Sequence, residues 1–216
     1  MTGTALELLS ATSVLLSTFA ANPAPRPSMP SDALPVPIMR QAHPYSCGAA
    51  VLLSILYYWQ AHDGGEASLY RDIATTPEKG TDPEGIVRGA RGHGLEAALK
   101  EKASFDDLRK ALGRGETVIL DFQAWPDELV GSTATWRGRW EDGHYAVLVG
   151  MDETYVYLMD PSVGGGYTYI PRVEFLERWH DYEDRPGGAR RYERLAVFIR
   201  GRKPVPSFPG PLVPTL

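Results

Sequence analysis

A single cysteine, Cys47, occurs in the 216 residues. One cysteine excludes an intrachain disulfide, and with it the disulfide scaffolds of small secreted domains. It also excludes metal sites that need two thiolates. There is no run of about 18 uninterrupted apolar residues, so no integral membrane segment is expected. Charge of one sign is scarce: 22 Lys and Arg against 27 Asp and Glu leave a net charge of −5. That balance supplies no field for nucleic acid. Internal repeats and a GxxxxGKS/T phosphate loop are absent as well. No metal and no organic cofactor are expected.

What is present is globular in composition, 43% hydrophobic and 23% charged. Six prolines lie within residues 22–37, which reads as an extended connector. Three regions are expected: an apolar segment and connector over 1–35, one domain over 36–201, and a Pro-rich tail over 202–216. Leu8 to Ala21 is apolar and ends in small residues, as a signal peptide does. Glu7 stands where a basic n-region belongs, and the first positive charge is Arg26. A cytoplasmic chain is therefore favoured over a secreted one.

Within the domain, Cys47 to Ala61 is apolar nearly all round and predicts a buried central helix. Short helices are expected over 68–73, over 81–95 with Asp82 as N-cap and Pro83 at the first helical position, and over 104–112 with a capping box from Ser104 and Asp107. The period then changes. Strands are expected over 117–122, 144–150, 154–160, 167–170 and 195–200. Helices followed by an antiparallel sheet place the chain in the α+β class.

The stretch Gln41 to Ala50, QAHPYSCGAA, carries the chemistry. Pro44 bars helix upstream, so Cys47 opens the helix, where free N–H groups and the positive dipole end favour a thiolate. Gly48 leaves the sulfur uncrowded. His144 begins one strand and Asp160 ends the next. A hairpin centred on Asp152 sets the two directly across from one another, about 5 Å apart at Cβ; a half-step shift would put them on opposite faces. Cysteine, histidine and aspartate supply nucleophile, base and orienting acid. The Cys47 N–H and the Gln41 side-chain amide are the candidate oxyanion donors.

These residues resemble the double-glycine leader peptidases, the bacteriocin-processing family thirty-nine of the papain-like cysteine peptidases. The likeness rests on Gln41, then Cys47-Gly48-x-Ala50 opening an apolar helix, then His144-Tyr145-x-Val147, and Asp160-Pro161. It spans about Val36 to Arg200. It implies a papain-like fold in which Cys47 is the nucleophile, His144 the base, Asp160 its orienting partner and Gln41 the oxyanion donor. It also implies a peptide or protein substrate cut after Gly-Gly. Ser46 departs from the family, whose members often carry an acid there. Without exporter segments, the chain resembles the freestanding relatives. A thiol-dependent acyltransferase and a non-catalytic peptide-binding module remain as alternatives.

About twenty residues separate the 117–122 strand from His144, and they hold Trp125, Trp136 and Trp140. Either they form an aromatic wall that grips substrate, with Trp140 the first candidate and Trp125 beside it, or they pin a long loop. His43, His62, His93 and His180 read as exposed or partnerless, and Arg190-Arg191 as a solvated pair. Oligomeric state is left open.

Overall fold

The computed structural model describes residues 27–125, 135–164 and 166–205. The apolar segment 8–21, residues 126–134 of the Trp-bearing loop and residues 206–216 of the tail lie outside them.

The apolar run forms α1 (Cys47–Tyr58), with ten of its twelve residues buried. It is shorter than expected because Gln60 takes a left-handed conformation, φ 53°, and turns the chain. Two short helices follow. α2 spans Tyr70–Ile73, and α3 spans Pro83–Gly92, with the Asp82 side chain accepting from the Glu84 N–H as anticipated. α3 stops before Leu95 because Gly94, φ 78°, starts a new strand, β1 (Glu96–Lys100). α4 (Phe105–Gly113) carries the reciprocal Ser104–Asp107 capping box. β2 (Thr117–Gln123), β3 (Gly143–Met151), β4 (Tyr155–Met159) and β5 (Thr168–Pro171) follow. Then come α5 (Arg172–Arg178), the hairpin β6 (His180–Arg185) and β7 (Gly188–Glu193), and β8 (Ala196–Arg200).

Six strands form one antiparallel sheet in the order β1-β8-β2-β3-β4-β5, and β6-β7 stands apart as a two-stranded ribbon. Ile119, Tyr145, Val147 and Val149 face α1 and α3, while Leu120, Phe122, Ala146 and Leu148 face α4 and α5. The class is α+β. No helix among the described residues is long and apolar enough to cross a membrane.

The β6-β7 ribbon corrects the reading of Arg190-Arg191 as a solvated pair. Arg190 donates to Glu84 at 3.0 Å and to Glu101 at 2.5 Å, and Arg191 lies 4.7 Å over the Trp140 ring. The strands HDYEDR and GARRYE lack apolar alternation; polar side chains join them instead, the Tyr192 hydroxyl of β7 donating to Glu183 of β6 at 2.9 Å.

The β3-β4 hairpin also differs from expectation. Met151 pairs with Val156, which centres the turn between Glu153 and Thr154 rather than on Asp152. A regular ladder from that turn would send His144 and Asp160 to opposite faces. Between Leu148 and Gly150 the register shifts: Val149 is an extra residue, a β-bulge, after which Leu148 pairs with Leu158 and Val147 with Met159. The shift restores parity. Continued one step, the ladder sets Asp160 across from Ala146, so His144 is its diagonal neighbour on the same face, a spacing of roughly 7–8 Å that side chains can bridge.

Candidate active site

Cys47 is the first residue of α1. Ser46 occupies the cap position but gives no side-chain cap. Its hydroxyl accepts from the His43 N–H and donates to the His43 carbonyl, both at 3.0 Å. The first turn holds no acidic side chain. The positive end of α1 therefore stays open toward the thiol. Gly48 is needed for a different reason than expected. A Cβ there would lie 2.5 Å from Thr81 Cβ, so its smallness lets α1 meet the 80–82 loop.

His144 lies on the sheet opposite, its side chain fully buried. Its Nε2 is 2.8 Å from Asp160 Oδ1. The other ring nitrogen, Nδ1, is buried without a partner of regular hydrogen-bond geometry, yet the Cys47 thiol is close enough to act on the ring. Burial works against the imidazolium, but bonds to Asp160 and Cys47 and the charges of both outweigh it. His144 is pushed up to about 9. Burial alone would raise Asp160. The hydrogen bond and charge of His144, with two donors from Ser162, hold it below the usual carboxylate range. Those donors are the Ser162 N–H at 2.8 Å and its hydroxyl at 2.7 Å. Sequence reasoning passed over Ser162, although Asp-x-Ser is a turn signal of its own.

Gln41 is brought to the same corner. Its N–H donates to the Pro161 carbonyl at 2.9 Å. Its Nε2 donates to the carbonyls of His43 (2.8 Å) and Pro44 (3.1 Å), and Oε1 is buried without a partner. The amide thus braces the loop before Cys47, and would have to release one carbonyl to meet an oxyanion.

The aromatic loop divides in two. The Trp125 ring sits 4.8 Å from the His144 ring and is 39% exposed, at the mouth of the site. Trp140 packs instead on His180 at 4.4 Å, and His180 Nε2 is 2.7 Å from the Arg139 carbonyl. Trp136 is buried under Arg178, 3.7 Å above its ring. Trp140 and Trp136 pin the loop; Trp125 faces His144.

Two further groups were missed. Asp121, in an otherwise apolar strand, is buried opposite Tyr145, with Oδ1 unpartnered. Burial, the charge of Asp181 and a shared hydrogen bond raise it well above the ordinary value, and the Cys47 charge adds to this. Asp181 accepts from Gln123 Nε2 at 2.9 Å and fills the space where a side chain at Gly143 would stand. A lone acid within TVILDF was the available signal. Asp82, Glu84 and Glu183 cluster as cation ligands would, all within 4.8 Å. Arg185 Nη2 already occupies the cluster, at 3.5 Å, 2.9 Å and 2.9 Å from the three.

A family model described as the Peptidase_C39 like family matches residues 33–186. An uncharacterized protein of Methanothermobacter thermautotrophicus is 32% identical over 127 residues, covering 59% of this chain and 72% of the relative. Among solved structures, the peptidase domain of Streptococcus ComA, a bi-functional ABC transporter, aligns with a TM-score of 0.56 at 20% identity, covering 77% of this chain and 99% of that one. A double glycine motif protease from an AMS/PCAT transporter, solved with its leader peptide, aligns at 0.54 and 21% identity over 80% and 94%. A C39-like peptidase from Bacillus anthracis aligns at 0.54 and 16% over 78% and 96%.

Proposed function

The chain belongs to the Peptidase_C39 like family and has the papain-like fold of C39 peptidase domains; from that membership we propose that it is a cysteine peptidase working through Cys47, His144 and Asp160. The observation that carries the reading is the buried His144, tied to Asp160 through Nε2, with Cys47 near enough to act on its ring.

In this mechanism, the Cys47 sulfur adds to a peptide carbonyl. The negative oxygen is met by the Cys47 N–H at the open end of α1 and by Gln41, which gives up its longer bond, to Pro44. The His144 imidazolium hands its proton to the leaving amine, and the C–N bond breaks to leave a thioester. Water then loses a proton to His144 and attacks the thioester, releasing the acid and restoring the thiol. Asp160 holds the ring in the tautomer that keeps Nδ1 toward sulfur.

The substrate is a peptide or protein, and a Gly-Gly bond of a leader peptide is the first choice. The support is the double glycine motif protease with its leader peptide, which shares the fold. Trp125 lines the mouth as an apolar wall for the extended segment. The test incubates the protein with a peptide holding one internal Gly-Gly and with its Gly-Val counterpart, read by mass spectrometry. Cleavage after Gly-Gly that disappears in Cys47→Ser and His144→Ala is expected. Cleavage that persists in either variant overturns the mechanism; binding without cleavage in the unaltered chain overturns the peptidase reading.

A further inference from the structure

We propose that the bulge at Val149, pinned by the backbone N–H of Leu34, is the positioning device that sets His144 on the sheet face of Asp160; the functional meaning of this rests on the peptidase reading above.

The turn of the β3-β4 hairpin has the wrong parity for that meeting, and the one extra residue at Val149 reverses it. The side chains record the reversal. Val147 and Val149 pack toward α1, while Met151, two residues further on, packs toward α4 and α5. A bulged residue loses its place in the ladder, so its buried polar groups need another partner. The Leu34 N–H supplies it, 2.7 Å from the Val149 carbonyl, and Leu34 and Val36 are themselves buried. Ala33 and Pro30 lie flat on the next residue, 3.4 Å from where a Cβ at Gly150 would be.

The same strap reaches the other two parts of the site. Pro37 accepts from Ser54 of α1 at 2.5 Å, and Val36 accepts from the Tyr167 hydroxyl at 2.6 Å. Gln41 then donates to Pro161, the residue after Asp160, before the chain enters α1 at Cys47. One stretch of backbone thus ties the strand of His144, the turn of Asp160 and the helix of Cys47. Leu34 touches none of the reacting atoms and acts through Val149.

Leu34→Pro removes the N–H, and Leu34→Ala keeps it while emptying the core position. The readout is the His144 titration by NMR, independent of any substrate. In Leu34→Pro, and equally on deletion of Val149, His144 is expected to fall from about 9 toward its ordinary 6.5. Adding Asp160→Asn then changes nothing further. Leu34→Ala melts at a lower temperature but keeps the high value. A folded Leu34→Pro that still titrates near 9 overturns the proposal. The unaltered chain offers a second route if the variants do not fold. Under urea below the global midpoint, exchange at the Leu34 N–H and loss of the high His144 titration should rise together. Strap opening with His144 unmoved refutes the proposal. A chain that shows these couplings but cleaves no peptide refutes the peptidase reading and leaves the register device standing.

Discussion

Replacing Asp160 with Asn keeps the shape of the side chain and an oxygen for the two Ser162 donors, but removes the charge that faces His144. His144 stands at about 9 against an ordinary 6.5, which at 1.36 kcal/mol per unit is about 3 kcal/mol in favour of the imidazolium. A charge-assisted hydrogen bond contributes roughly 1.5–3 kcal/mol, enough to supply most of that. Burial, which opposes the charge, stays in place in the variant. His144 should therefore fall from about 9 to roughly 7–8, where Cys47 still favours the charged ring. At pH 7 the imidazolium fraction drops from about 99% to roughly 50–90%. Cys47 then faces a charged ring less often, and alkylation by iodoacetamide at pH 7 slows. Cys47 is the only cysteine, so every added mass in intact-protein spectrometry reports on it. Unchanged near-ultraviolet dichroism would show that the packing survives. An Asp160→Asn protein whose His144 still titrates near 9, with an unchanged alkylation rate, would refute the argument.

His144 also makes stability depend on pH. Its folded value exceeds the unfolded one, so the stabilisation is complete below about 6.5 and is lost as pH rises through about 9. Urea midpoints should decline over that window, and His144→Ala should flatten the decline. Asp121 is also raised, chiefly by burial, so its ionisation costs stability once pH exceeds the unfolded value of about 3.9. Asp121→Asn should then raise the urea midpoint at pH 8 and leave it nearly unchanged at pH 4; equal effects at both would contradict a protonated acid there. Gly48→Ala drives a methyl group into Thr81 and should cost about 1–3 kcal/mol in thermal unfolding; a neutral result would mean that the 80–82 loop yields. Trp125→Ala should raise KM for the Gly-Gly peptide roughly tenfold, because the indole lines the mouth beside the His144 ring. A fall in kcat alone would place Trp125 elsewhere in the reaction.

Local signals carried much of the molecule. The helix opening at Cys47, the Asp82 cap, the Ser104–Asp107 box and the apolar strands are short-range consequences of side-chain periodicity and capping, so they are written in consecutive residues. Cys47, His144, Asp160 and Gln41, the components of the proposed site, could be named from the sequence for the same reason. Each stands at an element boundary that its neighbours mark. Other features are not local. The β6-β7 ribbon exists because its charges find Glu84 and Glu101 more than eighty residues away, and no periodicity announces that. Trp125 and Trp140 look alike in the chain, but only folding sends one to His144 and the other to His180. The meeting of His144 with Asp160 is the clearest case. Which residues could pair was decided by their chemistry, and belongs to the sequence. Whether they share a face was decided by one extra residue in β3, whose carbonyl is satisfied by the distant Leu34. A strand's parity depends on every pairing between the turn and the site, so it is set by tertiary contacts.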